Sequence, residues 1–120
     1  GVKRREKTAF GEFLVDEIRQ TGMSQEEFYH AVGIKKPYFY DLLTATPPPT
    51  ELQDRMLAVL DSATGTDIDR RRKFYDLAAQ GRNEIPADIA RLIADHPLEL
   101  DNIREILTKM LAVQGYRSMT

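Results

Sequence analysis

The chain has no cysteine, which excludes disulfides and thiolate metal sites and fits a reducing compartment. No apolar run approaches the roughly 18 residues needed to span a bilayer. The opening GVKRREK is followed by no apolar core of a signal peptide, so a soluble, cytoplasmic chain with no membrane partner is expected. Positive charge is not in excess either. With a formal net charge of -2, any contact with nucleic acid has to come from a local patch rather than from the whole surface. No Gly-rich phosphate loop, G-x-S-x-G turn or nucleophile with a matched base occurs. The two histidines, His30 and His96, lack metal-ligand spacing. Asp16 with Glu17 and Glu26 with Glu27 read as solubilising charge rather than as catalytic pairs. Enzyme activity, a cofactor and a metal are therefore not expected. No period-two alternation marks a strand, and no internal repeat is present. Gly1 in place of methionine reads as a tag remnant or a trimmed end.

What is present is helical patterning. A content of 42% hydrophobic and 30% charged residues in 120 supports one modest core rather than disorder. The organising stretch is Met23 to Leu43, MSQEEFYHAVGIKKPYFYDLL, where two short helical patterns meet at one glycine. Ser24 is an N-cap with Glu27 three positions on, a capping box, and Met23 with Phe28 forms a hydrophobic staple. A helix from Gln25 to Val32 should end at Gly33, which takes a left-handed conformation without steric cost and turns Ile34 inward. A second helix over 35–44 tolerates Pro37 in its first turn. Phe39, Leu42 and Leu43 face the core, while Lys35, Lys36, Tyr38, Tyr40 and Asp41 point outward. The spacing predicts a helix-turn-helix.

Elsewhere the pattern predicts a first helix from Thr8 to Thr21 on Phe10, Phe13, Leu14 and Ile18, closed by Gly22. Pro47, Pro48 and Pro49 make a stiff extended loop. Thr50 is the expected cap of a fourth helix ending at Leu60. A fifth helix is expected from Thr66 or Asp67 to about Ala79, stopped by Gly81, with Ile68 in its apolar set and the run Arg70 to Lys73 on a solvated face. A short sixth helix follows from Pro86 to about Asp95, carrying Ile89, Leu92 and Ile93. The last, Leu98 to about Gln114, has a wide apolar face. The fold class is all-α: a five-helix bundle over residues 1–80 with a two-helix extension over 81–120.

These residues resemble the XRE, or lambda-repressor-like, helix-turn-helix family of bacterial and phage transcription regulators. The resemblance covers about Thr8 to Leu60, through FGEFL, SQEE-F---VGI and KKPYFYDL followed by Pro49. FYDLAAQGRNEIPADIARLI resembles a tail found in one subgroup. The resemblance implies a lambda-repressor-like DNA-binding bundle whose helix 35–44 lies in the major groove. Carried over by position, Lys36, Pro37 and Asp41 would meet bases, with Lys able to donate to guanine and Asp to accept from cytosine N4. Gln25, Lys35, Tyr38 and Thr44 would meet phosphates. Arg4 and Arg5, with Lys3 and Lys7 beside them, resemble a basic arm.

Two readings follow. The first is a sequence-specific regulator of double-stranded DNA, a repressor by preference, bound to a palindromic operator as a homodimer. Leu100, Ile103, Leu107 and Met110 approximate the 3.5-residue repeat that pairs two chains. The second is a helix-turn-helix module turned to a protein partner, as an antitoxin or accessory subunit. It is motivated by Tyr29 where the family has a small residue, Leu43 where it has an acid, Ala45 where it has glycine, and an uncharged proline loop. Tyr29 is expected to splay the two helices or send its ring sideways. A stacking platform for single strands is disfavoured, because Tyr38 and Tyr40 diverge on a helix.

Overall fold

Why the first helix starts where it does is a matter of one hydroxyl. In the computed structural model, which describes residues 5–113, the Thr8 side chain accepts from the Gly11 N–H at 3.0 Å and opens α1 (Ala9–Thr21). Gly22, at φ 80°, closes it. α2 (Gln25–Val32) begins with the reciprocal capping box: Glu27 N–H donates to the Ser24 hydroxyl at 3.0 Å, and Ser24 N–H to the Glu27 carboxylate at 3.1 Å. Gly33, at φ 93°, donates its N–H back to Tyr29 and His30, and Ile34 N–H follows to Tyr29. Both amides thereby satisfy carbonyls that the helix end would leave open. The Arg55 guanidinium adds a bond of 3.0 Å to the Val32 carbonyl, a cation at the negative end of α2. α3 (Lys36–Thr44) carries Pro37 in its first turn and buries Phe39, Leu42 and Leu43.

The following elements depart from the sequence pattern in instructive ways. Pro49, not Thr50, is the N-cap of α4 (Thr50–Thr64), which runs four residues past Leu60 to Thr64 and is closed by Gly65. Its extra turn is held from outside: Arg70 donates to Asp61 at 2.6 Å, to Thr64 at 2.7 Å and to the Gly65 carbonyl at 2.7 Å. Arg70, expected on a solvated face, is 8% exposed and clasps the α4–α5 corner. Ile68, expected in the apolar set of α5 (Ile68–Arg82), is 61% exposed. α5 also passes through Gly81 and ends at Asn83, in the left-handed region at φ 56°. Gly81 serves a close approach instead, since a Cβ there would lie 2.5 Å from Pro47 Cγ. Pro47 and Pro48 are fully buried, with Pro47 accepting from Arg82 and Pro48 from the buried Gln53 amide. The proline loop is therefore part of the core.

α6 (Ala87–Ala94), a 3-10 turn (Pro97–Glu99) and α7 (Leu100–Val113) complete a chain that is all-helical among the described residues. The last helix starts two residues after Leu98 because Pro97 opens a separate turn, and Gln114 lies outside the described residues. Two compact units meet between Asp88 and Ile89, inside α6. In the first, α1 is central and lies against α2, α3, α4 and α5, while α2 also lies on α4. Its core joins Phe10, Leu14, Ile18, Phe28, Phe39, Met56, Leu57, Leu60 and Phe74, each side chain contributing about 1.5–3 kcal/mol by burial. Phe10 meets Phe74 edge to face at 5.2 Å. In the second unit α7 packs on the 3-10 turn, with Leu100 and Ile103 half-buried. Ile89, Leu92, Leu98, Ile106, Leu107, Met110 and Leu111 are exposed, so the apolar sets expected for the last two helices remain largely uncovered.

Candidate nucleic-acid interface

α3 is two-faced. At 100° per residue, the buried Phe39, Leu42 and Leu43 fall on one side and Pro37, Tyr40, Asp41 and Thr44 form the opposite crest, while Lys36 falls on the flank next to Leu43. Lys36, Pro37 and Asp41 are exposed, as are Gln25, Lys35 and Tyr38. Of the residues expected to meet bases, Pro37 and Asp41 share the crest and Lys36 stands on the flank, with Gln25 across a groove from it. Neither Lys35 nor Lys36 makes an ion pair among the described residues. Thr44 is half-buried and its hydroxyl donates to the Tyr40 carbonyl at 2.8 Å, which commits its proton within the helix.

Two positions differ from expectation. Tyr40, expected to point outward, is half-buried, and Asp41, expected to be open to a base, is already engaged. The Arg5 Nη2 donates to Asp41 Oδ1 at 2.6 Å, its guanidinium lies 4.8 Å from the centre of the Tyr40 ring, and its main-chain N–H donates to the Tyr40 hydroxyl at 3.1 Å. The hydrogen bond to Asp41 raises the Arg5 guanidinium above its already high ordinary value. Arg5 therefore lies folded on α3; Lys3 and Arg4 fall outside the described residues. What brings the arm there is the start of α1. Thr8 N–H and hydroxyl both donate to the Leu43 carbonyl, at 2.9 and 3.3 Å. Gly11 lies so close that a Cβ would sit 2.0 Å from that oxygen. The sequence pattern did not single out Gly11, for which the available signal is a glycine inside the Phe10, Leu14, Ile18 stripe; the pairing of Arg5 with a residue 36 positions away had no local signal.

Tyr29 does not send its ring sideways into solvent. Its ring is 8% exposed and packs against Phe39 at 5.4 Å and edge-on to His30 at 4.9 Å. With Phe39 and Leu43 it floors a groove of about 260 Å³ rimmed by Gln25, Glu26, Lys36 and Tyr40. At the same end of α2, the Ser24 main-chain and hydroxyl bonds hold the Glu27 carboxyl below its ordinary value, keeping it ionised. A second hollow of about 450 Å³ lies on the other flank of α3, between Arg5, Tyr38, Asp41, Thr46, Pro47 and Arg82. Of the pairing residues on α7, Leu100 and Ile103 are half-buried while Leu107 and Met110 are exposed. His30 is exposed, and His96 pairs its ring with the Leu92 carbonyl at 2.7 Å.

No family model, curated protein or solved structure matches this chain.

Proposed function

We propose that the chain is a sequence-specific binder of duplex DNA, a transcriptional regulator whose first unit is a lambda-repressor-like bundle with α2 and α3 as its helix-turn-helix. The observation that carries this reading is the division of α3 into a fully buried face, Phe39, Leu42 and Leu43, and an exposed surface that carries Pro37 and Asp41 on its crest and Lys36 on its flank. That is the arrangement a groove-entering helix needs: its inner face anchored, its outer face free of the core. Lys36, Pro37 and Asp41 serve as base-facing residues, and Gln25, Lys35 and Tyr38 as phosphate-facing ones, while Thr44, whose hydroxyl donates to the Tyr40 carbonyl, has no proton to offer a phosphate. Two copies joined through the apolar face of α7 would form a two-fold dimer, for which a palindrome with half-sites about 34 Å apart is the matching operator.

Fluorescence anisotropy on duplexes recovered from a random-sequence selection tests the reading. With about six phosphate contacts, log K should fall with log salt at a slope near -5. Lys36→Ala should weaken binding and blur the selected site. Undetectable binding at low salt, or a Lys36→Ala chain that binds as before, ends the proposal. Sedimentation of the free chain tests the dimer; Leu107→Glu with Met110→Glu should yield monomers.

A second reading, a bundle turned to a protein partner, is favoured by one feature. The groove floored by Tyr29, Phe39 and Leu43 offers apolar surface beside the acidic Glu26, a poor place for phosphate. A stoichiometric protein complex formed through Tyr29 and Lys36, with no salt-steep DNA binding, would select it.

A further inference from the structure

We propose that Arg5 is a base-reading side chain, seated on the crest of α3 by Asp41 and Tyr40 and directed at guanine. The inference rests on α3 being the groove helix and adds to it a specificity-determining residue from outside the helix pair.

Position comes first. Asp41 and Tyr40 are consecutive crest residues of α3, and Arg5 is fastened to both, by a 2.6 Å bond to the carboxylate and by its guanidinium 4.8 Å from the ring centre. Whatever groove receives Asp41 receives Arg5 with it. Chemistry comes second. Asp41 engages Nη2, one of three nitrogens in a fork that carries five N–H donors. Half of the Arg5 side chain stays exposed, so donors remain for a partner. A planar fork held at one end suits the paired O6 and N7 acceptors of guanine, the commonest specific contact in the major groove. An Asp41 carboxylate standing alone on the crest would instead accept from cytosine N4 and repel the flanking phosphates. Arg5 neutralises that charge and reverses the preference.

The pair has little reason to exist for stability alone, because both partners are about half exposed and exposed ion pairs contribute little. Its consequence is preorganisation. A long, flexible side chain loses rotamer freedom when it docks; here the order is imposed beforehand by Asp41, Tyr40 and the bonds of Thr8 to Leu43.

The experiment compares the full chain with Arg5→Ala, Arg5→Lys and Asp41→Asn in parallel selections from random duplex DNA. Titrations follow on the preferred duplex with 7-deazaguanine replacing each guanine in turn. Circular dichroism checks folding, which exposed residues should leave intact. The expected result is one guanine preferred roughly 5- to 150-fold over other bases by the unaltered chain, with the preference lost in Arg5→Ala, not restored by lysine and reduced in Asp41→Asn. Removing N7 at that guanine should weaken the unaltered chain and leave Arg5→Ala unaffected. If Arg5→Ala weakens every sequence alike, with the salt slope falling by about one, Arg5 is a phosphate contact. If it tightens every sequence, Arg5 is a cover over the ridge. Either result overturns the inference while leaving α3 as the groove helix. Absence of duplex binding by the unaltered chain overturns both.

Discussion

Replacing Gly11 by alanine should destabilise the first unit by about 2–4 kcal/mol, although helix propensity alone favours the change by about 1 kcal/mol. Gly11 lies in the first turn of α1, where alanine is ordinarily the better residue. The obstacle is the Leu43 carbonyl, whose oxygen would lie 2.0 Å from the new Cβ, with the Leu43 carbonyl carbon at 2.8 Å and Cα at 2.9 Å. All three atoms are backbone, so no rotamer can yield. Relief requires α1 and α3 to separate by about 1 Å, since real contacts do not fall under 3.0 Å. That displacement carries the Thr8 N–H and hydroxyl, now 2.9 and 3.3 Å from the same oxygen, out of bonding range. Overpacking costs about 1–3 kcal/mol and each lost bond about 0.5–1.5 kcal/mol, from which the propensity gain is subtracted. For a unit of this size the net corresponds to a fall in Tm of roughly 10–25 °C. Urea titration followed by circular dichroism measures it, with Gly81→Ala as the comparison. There the contact is the Pro47 ring at 2.5 Å, side-chain atoms rather than a bonded carbonyl, and the loss should be smaller. A Gly11→Ala chain as stable as its parent would refute the close seating of α1 on α3, and with it the placement of Arg5.

Four further outcomes are expected. Tyr29→Ala should cost about 3 kcal/mol in urea unfolding, because it empties the space against Phe39; a solvent-facing ring would cost under about 0.5 kcal/mol. Arg70→Leu should cost about 2–3 kcal/mol, since Asp61, Thr64 and the Gly65 carbonyl lose one common donor; an unchanged Tm would show that the clasp at the α4–α5 corner is dispensable. Glu27 is held below its ordinary value of 4.5 by bonds from Ser24. Its contribution is present above that value and lost as pH falls through the lower folded one, so Glu27→Ala should differ from its parent at pH 7 and converge with it in acid. Glu17 has the opposite sign: burial raises its carboxyl, with Asp67 adding to the rise and Arg70 opposing it. Native stability from Glu17 is present below 4.5 and lost as pH rises through the raised folded value, so Glu17→Gln should gain on its parent across that interval. Parallel pH–stability profiles for Glu17→Gln and its parent would show the reasoning to be wrong.

Local chemistry made the helix pair legible. Ser24 with Glu27, Gly33 and the 3.6-residue stripe on α3 each act within one or two turns, and the structure has them as the pattern predicts. The ends of α4 and α5 were not legible in the same way. Gly81 looks like a helix stop because glycine tolerates left-handed backbone, but its other property, the absence of a Cβ, is what the approach of Pro47 uses. Likewise Arg70 in the run RRRK looks solvated until the α4–α5 corner turns three oxygens toward it.

What the amino-acid order determined by itself was the helical class, the helix starts set by side-chain caps and the inward stripes of α1 to α4, because those depend on backbone sterics and on partners three or four residues away. Only tertiary structure decided what occupies the crest of α3. Arg5 and Asp41 stand 36 positions apart and meet because a glycine lets α1 start hard against the Leu43 carbonyl. A contact of that kind depends on where two helices cross, and no local periodicity encodes it.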